Sequence, residues 1–261
     1  MKEIAPGIVI FDNPFGGSNV TAITGDKGTI IVDSSLYPSK AEEIRLYVNR
    51  LLHSEVILVI NTHYHPDHTF GNSGLNANLL CCEKTEEYFM KMDSMYLESV
   101  FEKDGDLRSE KIHIVPPFET FKDSYEITHD GCKIILQRVG GHTPDSVVVK
   151  IPEKRILISG DMVINGFHPE IVKDSDIKEW IKVLKTLKRE KYRNIICGHG
   201  AVAKDIEIDR MRQYLEKMQM IMENKDNIDE ILSVLKEDPN FRDRHMTEIF
   251  LESLKCLMVE A

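Results

Sequence analysis

No stretch of this 261-residue chain is apolar for long enough to cross a bilayer, and Met1-Lys2-Glu3-Ile4-Ala5-Pro6-Gly7 lacks the apolar core of an export signal. The expectation is a cytoplasmic protein with no membrane partner. Cysteine is sparse: five residues, an odd number, lie at 81, 82, 132, 197 and 256 with no CxxC among them. Adjacent Cys81 and Cys82 are poorly placed to bridge each other, which fits a reducing compartment. Positive charge is short as well, with 33 Lys and Arg against 43 Asp and Glu and a formal charge of −10. The single clear basic run, Lys182 to Arg193, reads as a solvated helix face. Nucleic acid is therefore not an expected partner, because phosphate binding needs a cationic surface. There is no internal repeat and no flexible linker. What is there is ordinary globular composition, 42% hydrophobic and 29% charged, enough to bury a sizeable core.

Against that background one stretch stands apart, Asn61-Thr62-His63-Tyr64-His65-Pro66-Asp67-His68. It follows the β-branched run Val56 to Ile60, which reads as a buried strand. Three imidazoles and a carboxylate packed at a strand end are costly unless something binds them, and neutral imidazole and carboxylate suit zinc and similar divalent metals. In extended backbone His63 and His65 point to one side. Pro66 bends the chain, so that Asp67 and His68 can face a second point nearby. Gly141-His142-Thr143-Pro144-Asp145, Ser159-Gly160-Asp161, Cys197-Gly198-His199-Gly200 and Ile31-Val32-Asp33-Ser34 each end or follow a β-like run and turn on Gly or Pro.

In this order these blocks resemble the metallo-β-lactamase-fold hydrolases, specifically the dinuclear members with the HxHxDH motif, over about Gly7 to Gly200. The resemblance implies an α/β, four-layer αβ/βα sandwich. It implies a first metal on His63, His65 and His142, and a second on Asp67, His68 and His199, with Asp161 bridging. Asp33 would support the histidine loop from behind, or cap the helix that begins near Ser39. Two divalent metal ions are implied, zinc foremost with Fe or Mn as alternatives. A water held between them would have its pKa brought from 15.7 to about 7. Asp67 and Asp161 are the expected catalytic carboxylates.

Along the chain, strands are expected at Ile8–Phe11, Asn19–Thr24, Thr29–Asp33, Asn78–Cys82, Tyr125–Thr128, Lys133–Val139, Ser146–Ile151, Arg155–Ile158 and Asn194–Cys197. Helical spacing covers Ser39 to Leu52, Glu83 to about Lys103, and Asp174 to Glu190, and a short helix fits Asn72 to Leu75. The Met-rich stripe of the second helix (Tyr88, Met92, Met95, Tyr96, Val100) is expected in the core. Phe15-Gly16-Gly17 reads as a loop, with a mobile hairpin over the site as the alternative. His113 and His129 are expected at the surface. His168, in the loop after Asp161, is the leading candidate for substrate contact outside the ligands. Residues 1–223 form the expected catalytic domain and 224–261 a helical extension of it, with helices at Asp205–Glu223, Ile228–Glu237 and His245–Val259. Asp238-Pro239-Asn240 breaks the chain between them. That surplus has three uses open to it: packing on the core, a homodimer surface, or an overhang above the site.

The expected reaction is hydrolysis of an ester, thioester, lactone or amide bond of a small substrate. Phosphodiester and β-lactam cleavage are alternatives. Gly141 to Val149 is similar to class B β-lactamases, yet those enzymes usually carry Cys or Ser where Asp161 sits and Lys where Ile164 sits. Asp161 resembles instead glyoxalase II, lactonases and phosphodiesterases of the superfamily. The glutathione-binding tail of glyoxalase II and the basic arm of transfer-RNA-processing relatives are not recognisable here. From other classes, an iron persulfide dioxygenase-like enzyme would take up oxygen with a persulfide, and a non-enzymatic metal-binding module would show metal without turnover.

Overall fold

The computed structural model describes residues 1–13, 17–223 and 228–259. β1 (Lys2–Ala5), β2 (Ile8–Phe11), β3 (Val20–Gly25) and β4 (Gly28–Val32) run antiparallel, each paired to the next. Helix α1 (Pro38–Leu51) then carries the chain over to β5 (Val56–Ile60), parallel to β4. Two short helices follow, α2 (Pro66–Thr69) and α3 (Asn72–Leu75), then β6 (Asn78–Cys82), α4 (Glu83–Phe89), α5 (Ser94–Lys103) and β7 (Glu119–Phe121). This seven-stranded sheet is ordered as numbered. The second sheet comprises β8 (Ser124–His129), β9 (Cys132–Arg138), β10 (Val147–Ile151) and β11 (Ile156–Ile158), then α6 (Ile177–Arg189) and β12 (Asn194–Ile196). Its order is β12-β11-β10-β9-β8. Among the described residues four helices follow: α7 (Ile206–Glu223), α8 (Ile228–Glu237), α9 (Pro239–Arg242) and α10 (Thr247–Val259).

Strand periodicity sorts the side chains into layers, because successive residues of a strand face opposite sides. Ile8, Ile10, Ile30 and Ile60 meet Ile134, Leu136, Val147 and Val149 of the other sheet in one buried cluster. Their neighbours Val9, Ile31 and Val59 turn the other way, onto Ala41, Ile44 and Val48 of α1. On the far side Val148, Leu157 and Ile195 pack under Trp180 and Leu184 of α6 and Met211 and Tyr214 of α7. Both faces of each sheet are covered, giving the expected four-layer sandwich. Leu235 of α8, Phe241 of α9 and Leu254 and Leu257 of α10 belong to that same outer cluster, so the C-terminal helices pack on the core.

Several expectations need correction. Glu83 to Lys103 is two helices, because Asp93 accepts hydrogen bonds from the backbone of Met95 and Tyr96 and starts α5 afresh. Only part of the methionine stripe is core: Met92 is buried, while Met95 is 79% exposed. His129 is buried, its Nε2 3.1 Å from the carbonyl of Gly28. α6 begins at Ile177 with Asp176 as its cap; Asp174 accepts instead from the Tyr88 hydroxyl at 2.7 Å. Asp238-Pro239-Asn240 breaks the helical run after Glu237 as expected, and it also caps and opens a short helix, α9, that was not foreseen. β1 and β7, four and three residues long, were too short for periodicity to mark. Phe15 and Gly16 lie outside the described residues. Among the described residues no cysteine forms a disulfide, and no helix is long and apolar enough to cross a membrane.

Asp145 is buried, accepts a hydrogen bond from Thr85 Oγ1 at 2.8 Å, and leaves Oδ1 without a partner. Burial pushes its carboxyl up to about 6 against the ordinary 3.8, with Thr143 and Thr85 opposing. A raised carboxyl contributes stability below its unfolded value and loses it as pH rises through the folded one. At neutral pH the ionised form therefore costs up to about 3 kcal/mol, taking 1.36 per unit. Asp145→Asn is expected to raise stability by that order at pH 7.5 and to change little at pH 4, read by urea unfolding of metal-free protein. An equal effect at both pH values would contradict the assignment.

Candidate metal centre

Five loops at one edge of the sandwich bring the polar residues together. Asp33 follows β4, residues 61–68 follow β5, His142 lies between β9 and β10, Asp161 follows β11, and His199 follows β12. The histidine loop is braced from within. Asn61 Nδ2 donates to the carbonyl of His68 at 3.0 Å and the Asn61 and Asn72 amides exchange hydrogen bonds. Pro66 occupies the first position of α2, where no backbone donor is needed, and the turn places Asp67 and His68 one after the other. Ser18 Oγ donates to the Asp67 carbonyl.

Asp33 carries the heaviest load behind the loop. Its carboxylate accepts from the Thr62 amide and hydroxyl, both at 2.8 Å, and lies 2.8 Å from His68 Nδ1. Helix α1 starts at Pro38 without a side-chain cap, so the capping alternative for Asp33 fails. The Asp33 contact fixes the tautomer of His68 and leaves Nε2 facing inward, the arrangement a metal-binding imidazole requires.

His63, His65, His142 and Asp161 offer ligand atoms that all lie within 4.8 Å of one another, and so do those of Asp67, His68 and His199. In the first group His142 Nε2 is 3.2 Å from His65 Nδ1 and 3.7 Å from Asp161 Oδ2. In the second, His199 Nε2 is 3.2 Å from Asp67 Oδ2 and 3.4 Å from His68 Nε2. Asp161 faces both groups, with Oδ1 3.2 Å from His68 Nε2 and Oδ2 3.9 Å from His63 Nε2. Ligands 2.0–2.2 Å from a tetrahedral ion stand about 3.3–3.6 Å apart, so the spacings suit such a centre. His63 Nε2 is buried without a hydrogen-bond partner, an orphan that a cation would satisfy.

The two groups differ in charge. Burial holds His63 well below the ordinary imidazole value, with His68 and His65 adding to it. Burial also brings His65 down to about 4 and His142 to about 3. These three rings are neutral at pH 7 and ready to ligate. For His68 burial is outweighed by Asp67, Asp161 and Asp33, and for His199 by Asp161 and Asp67, so both stand well above the ordinary value. Conversely, burial of Asp67 and Asp161 is outweighed by His68 and His199, and both carboxyls stay ionised. A cation entering the second group must displace protons, and one entering the first need not.

Gly198 lets strand β12 pass under Asp161. A Cβ there would sit 1.9 Å from Asp161 Oδ1 and 2.7 Å from the Gly160 carbonyl carbon. Gly198→Ala is expected to push the Asp161 carboxylate out of place and cost at least about tenfold in metal affinity, the lower end for disturbing a ligand's support. Competition with a chelator checks this; unchanged affinity would contradict it.

Beside the second group lies a cavity of about 230 Å³, lined by Asp67, Asp161 and His199 together with the apolar Ile164, Phe167, Met246 and Ile249. His168 lines it too, with its Nδ1 engaged with the Tyr214 hydroxyl at 2.9 Å and its ring against Phe250. Glu170 was missed by sequence reasoning. Its Oε2 is 3.9 Å from His65 Nδ1, and burial with Asp67 and Asp161 nearby pushes its carboxyl up to about 7. Nothing in Pro169-Glu170 marks it, and Met246 and Ile249 sit in the C-terminal segment with no motif around them.

Comparison with known proteins agrees with this geometry. Residues 13–199 match the family described as "Metallo-beta-lactamase superfamily". The chain is 26% identical over 240 residues to the "Beta-lactamase-like protein 2 homolog" of Caenorhabditis elegans, covering 91% of this chain and 72% of that protein. It is 24% identical over 213 residues to the "Linear primary-alkylsulfatase" of Pseudomonas sp. (strain ATCC 19151), covering 68% of this chain but 40% of the relative. The fold matches a double mutant of the sec-alkyl sulfatase PisA1 with a TM-score of 0.77 at 15% identity, over 98% of this chain and 49% of that one. The chain thus spans less than half the length of the two alkyl sulfatases.

Proposed function

We propose, from the premise that this chain belongs to the metallo-beta-lactamase superfamily, that it is a dinuclear metal-dependent hydrolase. It would cleave an ester, thioester, lactone or amide bond of a small substrate. The observation that carries this reading is the meeting of two donor groups at Asp161. His63, His65 and His142 would hold one ion, Asp67, His68 and His199 the other, and Asp161 both. When bound, the cations (zinc foremost, with iron or manganese as alternatives) would lower the pKa of a water held between them and polarise the scissile oxygen. The protein supplies orientation. Asp67, ionised and fixed beside His199 at 3.2 Å, accepts a hydrogen bond from the attacking water and aligns it. Asp33 holds His68 in the tautomer that keeps Nε2 free to ligate. Asp161 or solvent returns the proton to the leaving group.

Sulfate-ester hydrolysis is a second reading, favoured by the alkylsulfatase relative. The test is a panel of thioesters, carboxylic esters, lactones, phosphodiesters, β-lactams and alkyl sulfates against zinc, manganese and iron forms. Turnover of one class, lost on metal removal and restored on return, is expected. Bound metal with no turnover anywhere would overturn the hydrolase reading.

A further inference from the structure

Part of the wall of the cavity beside the donor groups comes from outside the region shared with the family, which ends at residue 199. Met246 and Ile249 belong to the segment that opens α10, and they face Ile164 and Phe167 of the loop after Asp161. The segment is tied down at several points. His245 N donates to the Gly166 carbonyl at 2.9 Å, and His168 N donates to the His245 carbonyl at 3.0 Å. Arg244, buried and paired with Glu207 at 3.1 Å, donates to the carbonyls of Ile164 at 3.0 Å and Phe167 at 2.7 Å. Met246 itself holds φ at 62°, a left-handed conformation that a side-chain-bearing residue keeps only where its surroundings impose it.

The chemistry of this end is one-sided. Four side chains are aliphatic or aromatic, the carboxyl of Glu170 joins them in the lining, and among the described residues no Lys or Arg lines the cavity. An apolar surface rewards hydrocarbon, and an anionic tail would be stripped of water there with no Lys or Arg to pair it, whereas a carboxyl oxygen accepts from a donor in either protonation state.

We propose that residues Met246 and Ile249, with Ile164, Phe167 and Glu170, set substrate specificity by accepting a short aliphatic, non-anionic tail. The inference rests on the hydrolase reading for what happens at the metal end, but the selection itself is a matter of binding. Each methylene removed from water is worth about fourfold in Kd.

The test uses the zinc-loaded full chain and four hydroxamates that share one metal-binding head: acetohydroxamate, hexanohydroxamate, 6-aminohexanohydroxamate and the monohydroxamate of adipic acid. Calorimetry should show hexanohydroxamate binding at least ~30-fold tighter than acetohydroxamate, because several methylenes enter the apolar end. The adipic compound should bind at least ~10-fold more weakly than hexanohydroxamate, because no Lys or Arg pairs its carboxylate, and the amine, with the Glu170 carboxyl to accept from it, should not share that loss. Glu170→Gln should narrow the adipic gap. Ile249→Ala and Met246→Ala should weaken hexanohydroxamate at least ~4-fold each while leaving acetohydroxamate unchanged, and Met246→Leu should restore it. Equal binding of the two neutral compounds, no loss for the adipic one, variants without effect, or no binding at all would each overturn the proposal. Tail selection without turnover of any substrate would contradict the hydrolase reading alone.

Discussion

Replacing His142 with alanine is expected to lower kcat/KM for any substrate the protein turns over by at least about a thousandfold, since disturbing only a ligand's support already costs 10–100-fold. His142 Nε2 is 3.2 Å from His65 Nδ1 and 3.7 Å from Asp161 Oδ2, so its loss opens the first group. The ring is buried, neutral at pH 7, and lies edge-on to Trp180 at 5.1 Å. Removing it leaves no unpaired charge, and the remaining penalty is a cavity. His142→Leu keeps most of that volume. Circular dichroism should show both variants folded, with the leucine form nearer the parent in Tm. A folded His142→Leu protein that keeps full activity would take His142 out of the metal centre.

Asp161→Asn should act on both donor groups at once. Its carboxylate stands among His63, His68, His142 and His199, and the amide keeps the shape without the charge. Bound metal is expected to fall from two equivalents to one or fewer. In the metal-free protein, breaking a buried charge cluster by removing one partner costs about 3–5 kcal/mol. The pH dependence follows from the histidines. His68 and His199 are raised, so their contribution is fully present below the unfolded imidazole value and disappears as pH rises through the folded one. The destabilisation by Asp161→Asn should therefore be larger at pH 6 than at pH 9, read by urea unfolding in chelator. The opposite trend would contradict protonated His68 and His199.

The donor set was legible in the sequence because it is dense and local. Three histidines and an aspartate lie within six residues, and each remaining donor sits beside a glycine at a strand end: Gly141, Gly160 and Gly198. Strands that carry them are apolar on both faces, as burial of Ile156, Leu157 and Ile158 alike, just before Asp161, shows, and such runs declare themselves. The helix from Glu83 to Lys103 misled because the apolar spacing runs on past Met92; Asp93 is a local cap for a fresh start, and apolar periodicity does not record a cap. His129 was read as a surface residue because its partner, the Gly28 carbonyl, is 101 residues away. Glu170, Met246 and Ile249 were invisible for a related reason. They matter through where the C-terminal segment docks, and that docking depends on Arg244 reaching across to Glu207, Ile164 and Phe167. Asp33 stood between two roles in the sequence, and three contacts at 2.8 Å decide between them.

The central claim is that seven side chains from four loops hold two cations which share Asp161. Elemental analysis of protein purified without chelator, paired with titration of the stripped protein, tests it most directly. Two equivalents of a divalent metal per chain are expected, the second binding more steeply with rising pH than the first because His68 and His199 must release protons. A single equivalent at saturation, or none, would contradict the claim.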